Sequence, residues 1–140
     1  MWFINLNNFK KHMDKASWMN IISTHRKKCE KIISLSNDIR YVGVFNEYGR
    51  TIVGKIRPGI KPMFSPNAVR EEFFAVTSIL RLRQKSVKGL GELEYIFMRH
   101  KNMNVLLFSQ NNITYYITIN SKTNLTSILI NKIKKLITES

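Results

Sequence analysis

The sequence predicts an α/β fold, an α+β sandwich with elements in the order α-β-β-α-β-β-β-α. Three observations carry this. A stretch of helical period opens the patterned part, a Gly-centred turn joins two runs rich in β-branched residues, and three short strand-like runs with brief links follow a second helical stretch.

Residues 1–16 hold Asn5, Asn7 and Asn8 among mixed charges with no period, which reads as a loosely ordered lead-in to one domain, 17–140. From Ser17, a candidate N-cap, Trp18, Ile21, Ile22, His25, Cys29, Ile32 and Ile33 recur at three- and four-residue steps and so share one helix face. Arg26, Lys27, Lys28 and Lys31 fall away from its centre, which makes an amphipathic helix with a basic outer side. Asn37-Asp38 breaks it. Residues 39–46 (IRYVGVFN) and 50–57 (RTIVGKIR) are then strands of a hairpin, turning at Glu47-Tyr48-Gly49 where glycine supplies a positive φ.

Ser65-Pro66 reads as a helix start, an N-cap hydroxyl followed by proline at the first helical position, and Gly89 and Gly91 stop that helix after about Lys88. Residues 92–100, 105–109 and 113–120 are strand candidates whose short links imply an antiparallel meander. The last alternates, with Ile113, Tyr115, Ile117 and Ile119 opposite Thr114, Tyr116, Thr118 and Asn120. Asn124 caps a final helix with Leu125, Leu129, Ile133 and Leu136 as its buried stripe.

At 140 residues, 44% hydrophobic and 11% aromatic, the chain has globular composition and is long enough to bury a core without disulfides or a structural metal. Cys29 is the only cysteine, which excludes an internal disulfide and a thiolate metal cluster and fits a reducing compartment. Lys10 and Lys11 follow the apolar start instead of preceding it, opposite to a secretory signal, and no run approaches a membrane span, so the expected location is cytoplasmic.

Chemistry-bearing motifs are sparse. Neither a GxxxxGK[ST] nor a GxGxxG phosphate loop is present, so no nucleotide or other cofactor is expected. His12, His25 and His100 lie in different elements, and the His25/Cys29 pair would supply two ligands where structural zinc takes four. Cys29 sits within an apolar stripe, a setting for a core residue and not for a reactive thiolate. Glu71/Glu72 and Glu92/Glu94 are the only close carboxylate pairs, and the second reads as edge charge against unwanted strand pairing, not as an acid/base couple. No enzyme constellation emerges.

Twenty-three Lys and Arg against nine Asp and Glu give a formal net charge of +14. The basic residues group as Arg26 to Lys31 on the first helix, as Lys55, Arg57 and Lys61 after the hairpin, and as Arg81, Arg83, Lys85 and Lys88 late in the central helix. Lys55, Arg57, Lys61, Arg81, Arg83 and Lys85 are the candidate anion-binding set. The alternatives are plain surface solvation and, for the last group, favourable charge at a helix C-terminus. Without a helix-turn-helix, RNP or zinc-finger pattern, nucleic-acid binding would be directed at the backbone and sensitive to salt.

The central helix carries two apolar sets. Val69, Phe73, Val76, Leu80 and Val87 explain its packing on a sheet, while Phe74, Ser78 and Leu82, flanked by Ala75 and Ile79, project the opposite way. Exposed apolar stripes usually meet something, and self-association is the expectation here, with chance exposure or cover by the N-terminal segment as the alternatives.

The run YVGVFNEYGRTIVGKI resembles the hairpin of the roadblock (dynein light chain) domain, and the element order from 17 to 137 is similar to that family's. CEKIISL, IRYVGVFNEYGR, KIRPGIKPMFSP and LGELEYIFMRH also resemble an archaeal group of roadblock-like proteins. The resemblance implies a five-stranded antiparallel sheet of order 2-1-5-4-3, with the first and last helices on one face and the central helix on the other. It implies homodimers in which central helices pack together and third strands pair, placing Phe74, Ser78, Leu82, Tyr95 and Phe97 at the interface. It further implies partnership with small GTPases, as regulator or scaffold, or a place in motor complexes. The Asn-rich lead-in and the loop with Pro58, Pro62 and Pro66 depart from the family pattern.

Overall fold

Ile, Val and aromatic residues alternate through strands β1 (Ile39–Asn46), β4 (Met103–Gln110) and β5 (Ile113–Asn120), so each sends apolar side chains to both faces of the sheet it builds. The computed structural model describes residues 15–86 and 88–139; residues 1–14 and the side chains of Lys85, Ser86, Val87 and Lys88 lie outside the described part. The remaining elements are helix α1 (Lys15–Ser34), β2 (Thr51–Ile56), α2 (Pro66–Ser86), a 3-10 turn (Lys88–Leu90), β3 (Ile96–Arg99) and α3 (Ser127–Thr138). The five strands form one sheet, β2-β1-β5-β4-β3, with every neighbouring pair antiparallel. That is the expected order.

Two cores follow from the pleat. On one face Val42, Val44, Leu106, Phe108, Ile117 and Ile119 pack with Trp18, Ile32 and Ile33 of α1 and Ile133 and Ile137 of α3. On the other, Phe45, Val105, Leu107 and Tyr116 pack with Phe73, Val76 and Leu80 of α2. Each face of the sheet thus carries a core of its own, and each helix layer has its own hydrophobic reason to stay.

The turns are set by side chains. Asn46 Oδ1 accepts from the backbone N–H of Tyr48 (2.9 Å) and of Arg50 (3.0 Å), and Gly49 has φ of 78°. A Cβ on Gly49 would sit 3.1 Å from the Phe74 Cα, so glycine also lets the hairpin tip touch the backbone of α2. Asn111 (φ 53°) and Asn112 (φ 64°) close the β4–β5 hairpin with two left-handed residues. At α2, Ser65 Oγ accepts from Ala68 N at 3.2 Å and Pro66 opens the helix, as expected.

Three local expectations need correction. Lys15 and Ala16 are already helical in α1, so Ser17 lies within the helix and not at its cap. The final helix is capped by Thr126, whose side chain accepts from Leu129 N at 3.2 Å, and not by Asn124. The third strand is four residues, 96–99, where 92–100 was expected. Gly91 takes φ of 79° and Glu94 turns to Lys134 on α3 (3.2 Å), so Glu92–Tyr95 leaves the ladder before it reaches β4. Both partners of that ion pair are exposed, so it orients the segment and adds little stability.

Candidate interaction site

On α2 the residues at i, i+4 and i+8 from Phe74 make one row along the helix. Phe74 is 67% exposed and Leu82 65%, with Ile79 at 41% beside them and Ser78 exposed between. The Ser78 hydroxyl donates back to the Phe74 carbonyl at 3.1 Å, which folds its polar group onto the helix and leaves a shallow notch between two large side chains. Phe73, Val76 and Leu80 hold the helix from beneath, so the row is presented on a fixed platform.

At the far edge of the sheet β3 pairs only with β4. Ile96 and Met98 turn toward the α2-side core, whereas Phe97 (37% exposed) points the other way. Tyr95, 39% exposed, lies just before the strand with its ring 5.7 Å from that of Phe108. The sequence-derived interface residues thus fall in two places: Phe74, Ser78 and Leu82 on the outer side of α2, and Tyr95 and Phe97 at the β3 edge. Leu90 (73% exposed) and Leu93 (37%) lie on the chain between them and add to the exposed apolar area.

The candidate anion-binding set does not assemble. Arg57 is a structural residue: its guanidinium donates to the carbonyl oxygens of Ile33, Ser36 (2.6 Å) and Ile39 (2.7 Å), closing the C-terminal end of α1 onto the start of β1. Its charge meets the negative end of a helix and three backbone acceptors, which engages the guanidinium within the fold. Lys55 pairs across the hairpin with Val42, which faces α1, while Lys61 lines a pocket on the α2 side. Arg81 reaches the Glu47 carbonyl at 3.4 Å, Arg83 is exposed, and the Lys85 side chain is outside the described part. Replacing Arg57 by Met should lower stability by about 2–4 kcal/mol, since three partly buried carbonyls lose their donor, against under about 0.5 kcal/mol for Lys55→Met. Urea midpoints of the two variants measure it.

The titratable groups in the interior are structural. Cys29 is fully buried, and burial together with the nearby Glu30 carboxylate pushes its thiol up to about 12, far from a nucleophile's range. His25 Nδ1 shares a 2.6 Å hydrogen bond with the Tyr115 hydroxyl, and burial followed by the Lys28 charge lowers its pKa. Burial, then the hydrogen bond that the Tyr116 hydroxyl donates to Glu72 Oε2 (2.6 Å), raises the Tyr116 phenol. Glu72 thereby ties α2 to β5. Among the described residues no group of three His, Cys, Asp or Glu side chains is placed to hold a metal, and no helix is long and apolar enough to cross a membrane.

No protein-family model matches the chain, and no curated protein sequence matches it. Solved structures do. The gliding protein MglB of Thermus thermophilus superposes with a TM-score of 0.67 at 12% identity, over 83% of this chain and 87% of that one. An MglB with a tetrameric arrangement gives 0.63 at 15% identity over 78% of each chain. A Roadblock/LC7 domain from Streptomyces avermitilis gives 0.61 at 6% identity, over 79% of this chain and 88% of that one. With 78–88% of each chain superposed, this chain has the fold of the Roadblock/LC7 domain and of MglB.

Proposed function

We propose that the protein is a non-catalytic homodimeric interaction module of the cytoplasm, a scaffold or regulator of a small GTPase or another NTPase. The observation that carries this is the row Phe74–Ser78–Leu82, exposed on a helix whose other side is fully committed to the sheet. A two-fold contact of that row, continued by pairing of β3 edges, covers both exposed apolar regions with one operation. The tetrameric arrangement of one structurally similar MglB supports self-association on this fold. The NTPase partner rests on the roadblock resemblance of the hairpin and meander sequences.

Sedimentation equilibrium of the wild-type chain should return twice its 16.4 kDa mass at tens of micromolar. A monomer at that concentration overturns the dimer. Affinity capture from native cells, with wild type set against a variant altered in the α2 row, should recover an NTP-binding protein; capture of nucleic acid in its place overturns the scaffold half.

The net charge of +14 supports a second reading, phosphate-backbone binding to nucleic acid. Binding to generic DNA that survives physiological salt would favour it. Arg57 is occupied by backbone carbonyls, and Lys55 and Lys61 lie on opposite sides of the sheet, so these three do not share a patch.

A further inference from the structure

The two helices packed on one face of the sheet turn basic ridges outward. α1 carries five Lys or Arg to one acid, Glu30, and α3 carries three Lys to none. Lys27 and Lys31 are one helical turn apart and exposed, opposite the buried stripe of Trp18, Ile22, Cys29 and Ile32. On α3, Ile128, Lys132 and Lys135 follow one another at steps of four and three, all exposed and turned away from the buried Ile133 and Ile137. Lys28 Nζ donates to the Ile137 carbonyl at 2.8 Å, which joins the second half of α1 to the end of α3. The two ridges therefore form one face.

Among the described residues Lys27, Lys31, Lys132 and Lys135 make no ion pair, whereas Lys134 meets Glu94. Outside the described residues the acids are Asp14 and the chain-end carboxylate at Ser140, which together neutralise at most two of these four charges. The face therefore keeps a positive charge in every arrangement of those segments. All four cations are lysines, flexible point charges that suit a diffuse negative potential better than bidentate recognition of single phosphates. The exposed aromatic residues Tyr48, Phe64, Phe74, Tyr95 and Phe97 all lie off α1 and α3, so the described part of this face has no platform on which bases could stack. Ile128, 67% exposed, stands in the same ridge as Lys132 and Lys135. An aliphatic side chain among lysines, whose own stems are apolar, matches the headgroup boundary of a bilayer. We infer that the α1–α3 face docks on a membrane surface rich in anionic phospholipid, with Ile128 at the headgroup boundary and the ammonium groups of Lys27, Lys31, Lys132 and Lys135 among the headgroups.

In the proposed dimer, a two-fold axis that joins β3 edges and packs α2 on α2 leaves both α1–α3 faces on the same side of the continued sheet, which doubles the contact. Docking of a single chain does not depend on that reading. The test floats the full chain with vesicles of phosphatidylcholine alone or with about 30% phosphatidylserine, in about 0.15 M salt. The wild type should bind the anionic vesicles at least about tenfold more tightly than the neutral ones, and Lys31→Gln/Lys132→Gln/Lys135→Gln should lose about thirtyfold or more of that affinity. Arg50→Gln/Lys61→Gln/Lys101→Gln removes the same charge from exposed residues off this face and should lose under about threefold. Ile128→Ser changes no charge and should weaken vesicle binding about threefold or more. Circular dichroism confirms that each variant is folded, and sedimentation reads the oligomeric state apart from docking, so a monomer that binds anionic vesicles overturns the dimer and upholds the face. No binding, equal binding to the two vesicle types, equal losses in the two charge variants, or an Ile128→Ser chain that binds as the wild type does overturns the assignment. Binding to duplex DNA at a lower concentration of anionic groups than to the vesicles also overturns it, and gives the face to a nucleic-acid backbone.

Discussion

Truncating Phe73 to alanine should destabilise the fold by about 3–5 kcal/mol, the range for a fully buried phenylalanine whose cavity cannot collapse. Phe73 is 1% exposed, stacks on Phe45 with ring centroids 4.4 Å apart, and meets Tyr116 at 5.2 Å. Its ring tip also stands where a Cβ on Gly43 would be, 2.8 Å away, so helix and strand are fitted against each other on both sides of it. The neighbours cannot close the gap easily. Tyr116 is tethered to Glu72, and the hairpin tip is held against the α2 backbone at Gly49. For a domain this size the loss corresponds to a fall of roughly 10–20 °C in melting temperature, read by scanning calorimetry. A fall under about 3 °C would mean that α2 is not seated on the sheet as described.

How much of this was legible in the sequence depends on the range of the interaction responsible. Element order, the Glu47-Tyr48-Gly49 turn and the Ser65-Pro66 start are written in periods and turn residues a few positions apart, and the structure has them. The sheet order came from the resemblance of the YVGVFNEYGRTIVGKI hairpin, and it too is observed. Failures sit where a distant residue decides. Arg57 follows a strand beside other basic residues and reads as surface charge, yet its partners are carbonyls of residues 33, 36 and 39, brought to it only when α1 packs on the hairpin. Glu94 reads as part of a strand because Tyr95, Ile96 and Phe97 follow it, but the chain joins β4 only from Ile96 on, and Glu94 meets Lys134, forty residues on, outside the ladder.

The pocket that Lys61 lines was illegible for a related reason. Gly43 and Gly54 stand mid-strand, a position that weakens a strand unless something approaches closely, and that was the available signal. What it could not disclose is that the two glycines are cross-strand partners and that Tyr41 is what approaches them. The proline-rich loop, a departure from the family pattern, is the segment that supplies Ile60, Met63 and Phe64 to the same cavity.

Replacing Phe74 and Leu82 together by glutamate should convert a dimer into a folded monomer, raising the dissociation constant by about a thousandfold or more. The folded chain itself should tolerate the change, because both side chains already stand in water and surface substitutions of this kind stay within about 0.5 kcal/mol. In the proposed two-fold contact each side chain occurs twice, so the double variant buries four carboxylates against apolar surface with no partner charge. Leaving even some of them desolvated and unpaired costs several kcal/mol, where a thousandfold needs about 4. Ser78 sharpens the expectation. A small residue between two large ones lets the helices approach closely, so Ser78→Phe should weaken association although it adds apolar area. Met19→Glu, on the exposed side of α1 across the sheet, serves as the control and should leave the dimer intact. Sedimentation velocity separates the outcomes: a Phe74→Glu/Leu82→Glu chain that sediments with the wild type would remove the α2 row from the interface and leave the β3 edge to carry it alone.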